Sequence, residues 1–406
     1  MVILNWPENN ELITLKIDYQ KTTYPILIAI AVAHLLNDLL QAVIPAMYPQ
    51  LEQRYNLTMG QVGIITLCFQ LSASIFQPMV GAYTDKHPKP YSQLIGMFFS
   101  AIGIAVLAYA PSYGWILIAV TLVGIGSSIF HPEASRIAFF ASGGKRSMAQ
   151  SIFQIGGNTG TALTPLLIAW IVIPNGQQHI LWFLTFAFLA KIILFYIATW
   201  RKAVLKEIKN APKKPIVLPD LSQKQINSSV VILLILIFSK YFYTAGITSY
   251  FQFYTIKKFG LTEVQAQVYL FYFLIAAAIG TLLGGFFGDK FGRKYVIWFS
   301  ILGAAPFTLA LPYVGLELTA VFVVIIGLVI SSAFPAILVY AQELLPKKLG
   351  MVSGLFYGFA FGMGGLGSAV LGFMADKTGI EYVYQVCSFL PLIGLIAYFL
   401  PDLKKK

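Results

Sequence analysis

Charge is scarce in this chain. Of its 406 residues only 11% are Asp, Glu, Lys or Arg, against about a quarter in an ordinary soluble domain, whose surface must face water. Hydrophobic residues reach 58% and the mean hydropathy is +0.75. One water-facing globule cannot absorb that excess, which excludes a soluble fold. Cysteine is nearly missing. Cys68 and Cys387 lie in separate apolar runs, outside any CxxC or Cys/His cluster, so no disulfide framework and no metal site is expected. The four histidines, His34, His87, His131 and His179, are dispersed. HExxH, GxSxG and the GxxxxGKS/T phosphate loop are all absent, which removes the usual signatures of a membrane enzyme or a nucleotide-driven pump. Neither enzymatic activity nor a cofactor is expected. The period-two alternation of a membrane barrel is absent too.

What the chain has instead is long apolar runs of roughly 20 residues, enough for a helix to cross about 30 Å of hydrocarbon. Twelve are read near 24–48, 58–84, 91–110, 115–138, 147–173, 180–200, 229–256, 263–288, 294–313, 317–343, 348–374 and 381–400. The first run follows a polar segment of mixed charge and is long enough to span, so it is expected to stay as a helix rather than be cleaved. The formal net charge of +12 does not point to nucleic acid. With the N-terminus inside, only Arg54, Lys257, Lys258 and Lys377 fall in outer loops, Lys191 and Lys240 fall within spans, and the other 22 of the 28 basic residues lie on the inner side. That bias sets orientation. It predicts a multi-pass protein of the cell membrane (the inner membrane in a Gram-negative cell) with both termini cytoplasmic.

The chain also repeats itself. The polar stretch 201–228 divides it into a first six-helix bundle (1–200) and a second (229–406), and reads as a cytoplasmic linker with a short surface helix over Ala203–Lys209. An offset of 204 carries Leu57-Thr58 to Leu261-Thr262, Gln61 to Gln265, Gly81 and Asp85-Lys86 to Gly285 and Asp289-Lys290, and Ser127-Ser128 and Phe130 to Ser331-Ser332 and Phe334. One offset that holds in three separate places implies duplication. Thr58-x-x-Gln61 and Thr262-x-x-Gln265 are predicted capping boxes, in which the Thr hydroxyl takes a free N–H of the first turn and the Gln reaches back to the cap.

The turn Gly285-Phe286-Phe287-Gly288-Asp289-Lys290-Phe291-Gly292-Arg293-Lys294 resembles the GxxxD(R/K)xGR(R/K) signature of the major facilitator superfamily. The earlier copy, Gly81 to Pro90, keeps Gly81, Asp85 and Lys86 but ends in Pro-Lys-Pro. In physical terms the Gly admits a neighbouring helix, the Asp suits a facing helix N-terminus, and the basic residues hold the inner interface. A solvated basic turn explains one copy but explains two matched copies poorly. The resemblance implies an all-α membrane fold of twelve helices in two pseudo-symmetric halves, with helices two, five, eight and eleven forming the contact that opens and closes. Glycine rows at Gly156 and Gly160, at Gly280, Gly284 and Gly288, and at Gly354, Gly358 and Gly362 fit such a seam and fit static packing equally. Gly156-Gly157-Asn158-Thr159-Gly160 followed by Pro165 resembles a loose form of the glycine-proline motif of antiporters in this superfamily, without its adjacent Gly-Pro.

Ionisable groups inside hydrocarbon are costly, so each is a functional candidate. His34 and Asp38 are four apart and share a helix face. Asp38 is the expected proton carrier, with His34 tuning it and Glu133 taking part; the structural alternative is a fixed ion pair that locks the first helix. Glu133 and Arg136 can pair on one helix, as a gate lock or as a substrate contact. His131, just before Pro132, either lines the cavity or is a hydrogen-bonded packing residue. Lys240 is placed to attract an anion, or else to snorkel toward the inner surface. Lys191, on the peripheral sixth helix, has the weaker case. Gln70, Gln154, Asn158, Tyr243 and Gln252 are candidate substrate contacts, and Tyr250 and Gln342 offer further neutral hydrogen bonds.

Five segments carry a closer resemblance, to the fosmidomycin-resistance proteins within the superfamily. They are His34-Leu35-Leu36-Asn37-Asp38, Tyr48-Pro49, the Gly81–Pro90 turn with its Pro-Lys-Pro ending, Gly126 to Glu133, and Ala149 to Asn158. The resemblance implies a proton-coupled antiporter that exports small polar or anionic compounds, fosmidomycin-like drugs among them, by alternating access around a midplane site. A proton-coupled importer of a small organic anion or nutrient is the alternative, and a transporter-like sensor without flux is a third class. The expected partners are a small-molecule substrate, the proton and the lipid bilayer, with no nucleic acid, and the protein is expected to work as a monomer.

Overall fold

The computed structural model describes residues 22–210, 219–346 and 349–403. Each apolar run becomes a helix, because only a helix pairs every backbone N–H and C=O within its own segment. Among the described residues there is no strand. Eleven helices are long and apolar enough to cross a membrane: α1 (Tyr24–Tyr55), α2 (Met59–Thr84), α4 (Tyr113–Ala141), α5 (Met148–Val172), α6 (Gln177–Glu207), α7 (Gln223–Phe259), α8 (Glu263–Gly288), α9 (Arg293–Tyr313), α10 (Leu316–Leu344), α11 (Met351–Thr378) and α12 (Ile380–Phe399). The shorter apolar helix α3 (Ser92–Ala108) lies between α2 and α4. Large apolar side chains stand exposed along these helices, among them Phe188, Phe195, Tyr313, Tyr398 and Phe399, as expected where the outer surface meets lipid rather than water.

The helix ends follow their sequences. Thr58 and Thr262 both form the expected capping boxes: the N–H of Gln61 donates to Thr58 Oγ1 at 3.2 Å, and that of Gln265 to Thr262 Oγ1 at 3.3 Å. A third box, Ser222 with Gln225, opens α7. It starts that helix inside the stretch read as linker. At the other border, helix Leu184–Asn210 runs straight through the segment expected to be a separate surface helix. Its continuation is anchored by Arg201, which is buried with its guanidinium 4.1 Å above the Phe140 ring. Gly260, at φ 67°, ends α7 in the left-handed conformation, which costs glycine nothing.

Two pairs of helices join the first six to the last six: α2 packs along α11, and α5 along α8. The glycine rows divide between this seam and the two bundles. Gly354 meets Pro78, and Gly358 and Gly362 meet Ser74, so the α11 row lies on the seam. The α5 row faces α1 instead, with Gly156 against Ala31 and Gly160 against Leu35. Gly280 and Gly284 face Leu328 and Ser332 of α10. Those two rows hold each bundle together, because spacing by four fixes a face but not what the face meets. A Cβ on Gly156 would stand 2.0 Å from the Ala31 carbonyl oxygen, so α5 must move off α1 to admit even a methyl. Gly156→Ala is expected to destabilise the protein by about 1–3 kcal/mol, read as a lower unfolding temperature of the detergent-purified protein. An unchanged midpoint would show that the contact has slack.

Candidate functional site

The approach of α1, α4 and α5 creates a cluster that sequence spacing shows only in part. His34 Nε2 lies 3.0 Å from Asp38 Oδ2, one turn along α1. His131 of α4 brings its Nε2 to 3.3 Å from that of His34 and 3.7 Å from Asp38 Oδ1. Both imidazoles are buried, and Asp38 keeps 18% of its side-chain surface exposed. Gly157 makes the space: a Cβ there would fall 2.4 Å from the His34 ring and 2.5 Å from Asp38 Oδ2.

The hydrogen bonds on the far side of each ring bear on where the protons sit. His34 Nδ1 is 2.8 Å from the Phe153 carbonyl oxygen, and His131 Nδ1 is 3.1 Å from that of Ser127. A carbonyl only accepts, so His34 Nδ1 carries a hydrogen; His131 Nδ1 also lies 3.2 Å from the Ser127 hydroxyl, which can donate or accept, so either tautomer of that ring finds a partner. Two imidazole nitrogens and a carboxylate therefore converge on one point. Asn37 Nδ2 and Gln41 Nε2 donate to Asp38 Oδ1 at 2.9 and 3.2 Å, but neither reaches the gap between the carboxylate and the imidazoles. A proton held there lets an imidazole nitrogen donate to the carboxylate or to the other ring. Among the described residues this is the one group of His, Cys, Asp and Glu side chains within 4.8 Å of one another, the closeness that sharing an ion requires.

From His131 a chain of aromatic rings crosses to the last six helices. Its ring lies 5.2 Å from Phe361 and 5.7 Å from Tyr357, both on α11, and Tyr357 lies 5.0 Å from Phe334 of α10. The Tyr357 hydroxyl donates to Gln154 Oε1 at 2.9 Å and accepts from Gln150 Nε2 at 2.8 Å. Lys240 stands at the far end of the chain. It is buried, with Nζ 5.2 and 5.4 Å from the Tyr241 and Phe334 ring centres, and no carboxylate lies within ion-pair distance among the described residues. Tyr357, Phe361, Phe334 and Gln150 are not among the candidate contacts read from the sequence, although Gln150 lies in the Ala149–Asn158 segment. Phe334 belongs to the 204-offset match and Tyr357 sits inside the α11 glycine row, but neither signal reveals which way a side chain points.

Three of the other candidates, Asn158, Gln70 and Gln252, reach across between the first six and the last six helices. Asn158 donates to Thr281 of α8 at 2.7 Å, and Gln70 lies against Gly364 and Gly365 of α11. Gln252 accepts from Gln267 at 2.9 Å and donates to the Pro45 carbonyl at 3.3 Å. Tyr243 is buried among the last six helices, its hydroxyl without a partner among the described residues. Arg136 pairs with Glu133 and also donates to Thr84 Oγ1 at 2.9 Å and to the Gly81 carbonyl at 3.1 Å. It thus ties α4 to the end of α2 rather than to the histidine cluster. Arg293 pairs with Glu343 at the second turn, where Gly285 is buried. The side chains of Asp85, Lys86 and Asp289 lie outside the described residues.

Comparison with known proteins places this architecture. The Major Facilitator Superfamily pattern matches residues 30–276 and 255–406. The chain is 56% identical over 386 residues to the fosmidomycin resistance protein of Escherichia coli (strain K12), covering 95% of each chain. It is 45% identical over 386 residues to the uncharacterized MFS-type transporter YfnC of Bacillus subtilis (strain 168), covering 95% of this chain and 94% of that one. Among solved structures, the human organic anion transporter MFSD10 (TETRAN) superposes with a TM-score of 0.71 at 16% identity, and the transporter FucP in its outward conformation with 0.66 at 18%. Each alignment covers 95% of this chain and 100% of the other. The site is therefore that of a multi-pass membrane transporter and not of an enzyme, and the chain belongs to the major facilitator superfamily and, within it, to the family of the fosmidomycin-resistance protein.

Proposed function

We propose that this transporter is a proton-coupled antiporter that exports small polar or anionic compounds, fosmidomycin-like drugs included. In this reading twelve spans form two six-helix halves that rock about a midplane site, both termini are cytoplasmic, and a monomer suffices. The observation that carries it is the convergence of His34 Nε2, His131 Nε2 and the Asp38 carboxylate on a gap that wants a proton. A proton taken from outside neutralises Asp38, which lowers affinity for the cargo or frees the gate and lets the protein return; once that proton leaves on the inner side, Lys240 can take the next anion. Cargo released outside gives way to the next proton. A membrane potential of about 100 mV supplies roughly 2.3 kcal/mol per charge moved, and one pH unit adds about 1.4 kcal/mol. The identity to the fosmidomycin resistance protein supports the cargo class.

Inside-out vesicles with an acidified lumen test the exchange. Adding fosmidomycin is expected to drive drug into the lumen while protons leave it, with no effect of a divalent-metal chelator. Drug and protons moving in the same direction would instead establish the importer. Drug movement without protons would remove coupling, and loss of flux in chelator would put a metal at the histidine cluster.

A further inference from the structure

The turn that ends α11 repeats the sequence of the gating turn that ends α8. Gly372-Phe373-Met374-Ala375-Asp376-Lys377-Thr378-Gly379 matches Gly285-Phe286-Phe287-Gly288-Asp289-Lys290-Phe291-Gly292 at both outer glycines and at the Phe, the Asp and the Lys. The backbones agree as well. Gly292 has φ 97° and ψ 139°, Gly379 has φ 84° and ψ 156°, and each is the residue from which the next helix starts. Such positive φ favours glycine. The two turns lie at opposite ends of the bundle, since three helices, α9, α10 and α11, separate them.

At the α11 end the partner of this turn can be seen. Asp376 Oδ1 accepts from the Met59 N–H at 2.9 Å, and Oδ2 from the Gly60 N–H at 2.8 Å. The first turn of α2 thus has four free N–H groups taken. Its own capping box satisfies those of Thr58 and Gln61, and a carboxylate from the other half satisfies the two between. A helix N-terminus favours such a charge. Contact is close on both sides. A Cβ on Gly372 would stand 2.4 Å from the Met59 carbonyl oxygen, and one on Gly60 2.8 Å from Asp376 Oδ2. Beside it Tyr250 donates to the Ser368 carbonyl at 2.6 Å, and Ser368 Oγ donates to Ser249 Oγ at 2.9 Å. The halves cannot part at this end without stripping Met59 and Gly60 of their acceptor.

We infer that residues 372–379 are an outer-face copy of the inner gating turns, and that Asp376 is the positioning residue that holds the outer gate shut by capping α2 across the seam. This rests on the rocking of two halves and on the orientation proposed above. Its test therefore reads gate opening and not transport, so a protein that lacked proton coupling could still carry the clasp.

Ser249 is buried at the seam behind the clasp. A Ser249→Cys variant, with Cys68 and Cys387 replaced by Ser, should react with a membrane-impermeant maleimide added outside intact cells only while the outer gate is open. Asp376→Ala is expected to raise that rate about fivefold, in line with a carboxylate at a partly exposed helix N-terminus. Asp376→Asn, which keeps one acceptor oxygen, should fall between. Thr58→Ala weakens the same helix end without touching the cross-seam link and should leave the rate unchanged. Equal rates with and without the Asp376 carboxylate, or a Thr58→Ala variant as fast as Asp376→Ala, would overturn the proposal, as would labelling from the inner side alone. If Asp376→Ala fails to reach the membrane, Asp376→Asn gives the same comparison.

Discussion

Asp38→Asn is expected to abolish uphill transport while leaving the protein in the membrane. The amide fills the same space and can still accept from Asn37 or Gln41, so folding has little reason to suffer. What it cannot do is carry the exchangeable proton between the two imidazoles and α1. A potential of about 100 mV with one pH unit supports an accumulation of about five hundredfold for a single exchanged charge. The variant should bring that ratio down to about one. Exchange of labelled for unlabelled cargo, which needs no net proton movement, should persist. This contrast separates a lost coupling group from a damaged protein. Full proton-driven accumulation by the variant would remove Asp38 from the mechanism, and loss of both activities would make it a structural ion pair that locks α1.

Lys240→Gln should split the cargoes by charge. An ammonium buried among Tyr241 and Phe334 with no acidic partner is costly to hold, and the rings return only part of that cost. An anionic cargo supplies the missing counter-charge. Removing Lys240 should raise KM for an anion about ten- to hundredfold, or about 1.4 to 2.7 kcal/mol, and change that for a neutral cargo much less. Stability should move the other way, with Lys240→Gln unfolding at a higher temperature because an unpaired buried charge is gone. Equal losses for anionic and neutral cargo would reject Lys240 as an anion contact, and a lower unfolding temperature would show that it has a structural partner.

The sequence shows its helices and their ends clearly, because both depend on local chemistry. Apolar runs had only one way to satisfy their backbones in lipid, and Thr58 and Thr262 sit three residues from their Gln partners. Helix phase and long-range meeting are a different matter. His34 and Asp38 declare themselves by lying one turn apart, but His131 is 93 residues beyond Asp38, and only the crossing of α4 over α1 joins them. For the same reason Tyr357 and Phe361 pass unnoticed, and two of three glycine rows prove to face helices of their own bundle. Arg136 can be foreseen as the partner of Glu133, but its bond to the Gly81 carbonyl depends on where α2 ends against α4. Asp376 was visible as sequence, in a repeat of the gating pattern. Its meaning needed the start of α2, more than three hundred residues earlier, to be placed against it.

The proposed coupling rests on one shared event, in which cargo and proton displace each other at the meeting of Asp38, His34 and His131. Proton release from purified protein in weakly buffered detergent solution, followed as fosmidomycin is added, tests this most directly. Exchange predicts that the drug expels protons from the unaltered protein and none from Asp38→Asn. Binding without proton release, or equal release from both proteins, would contradict it.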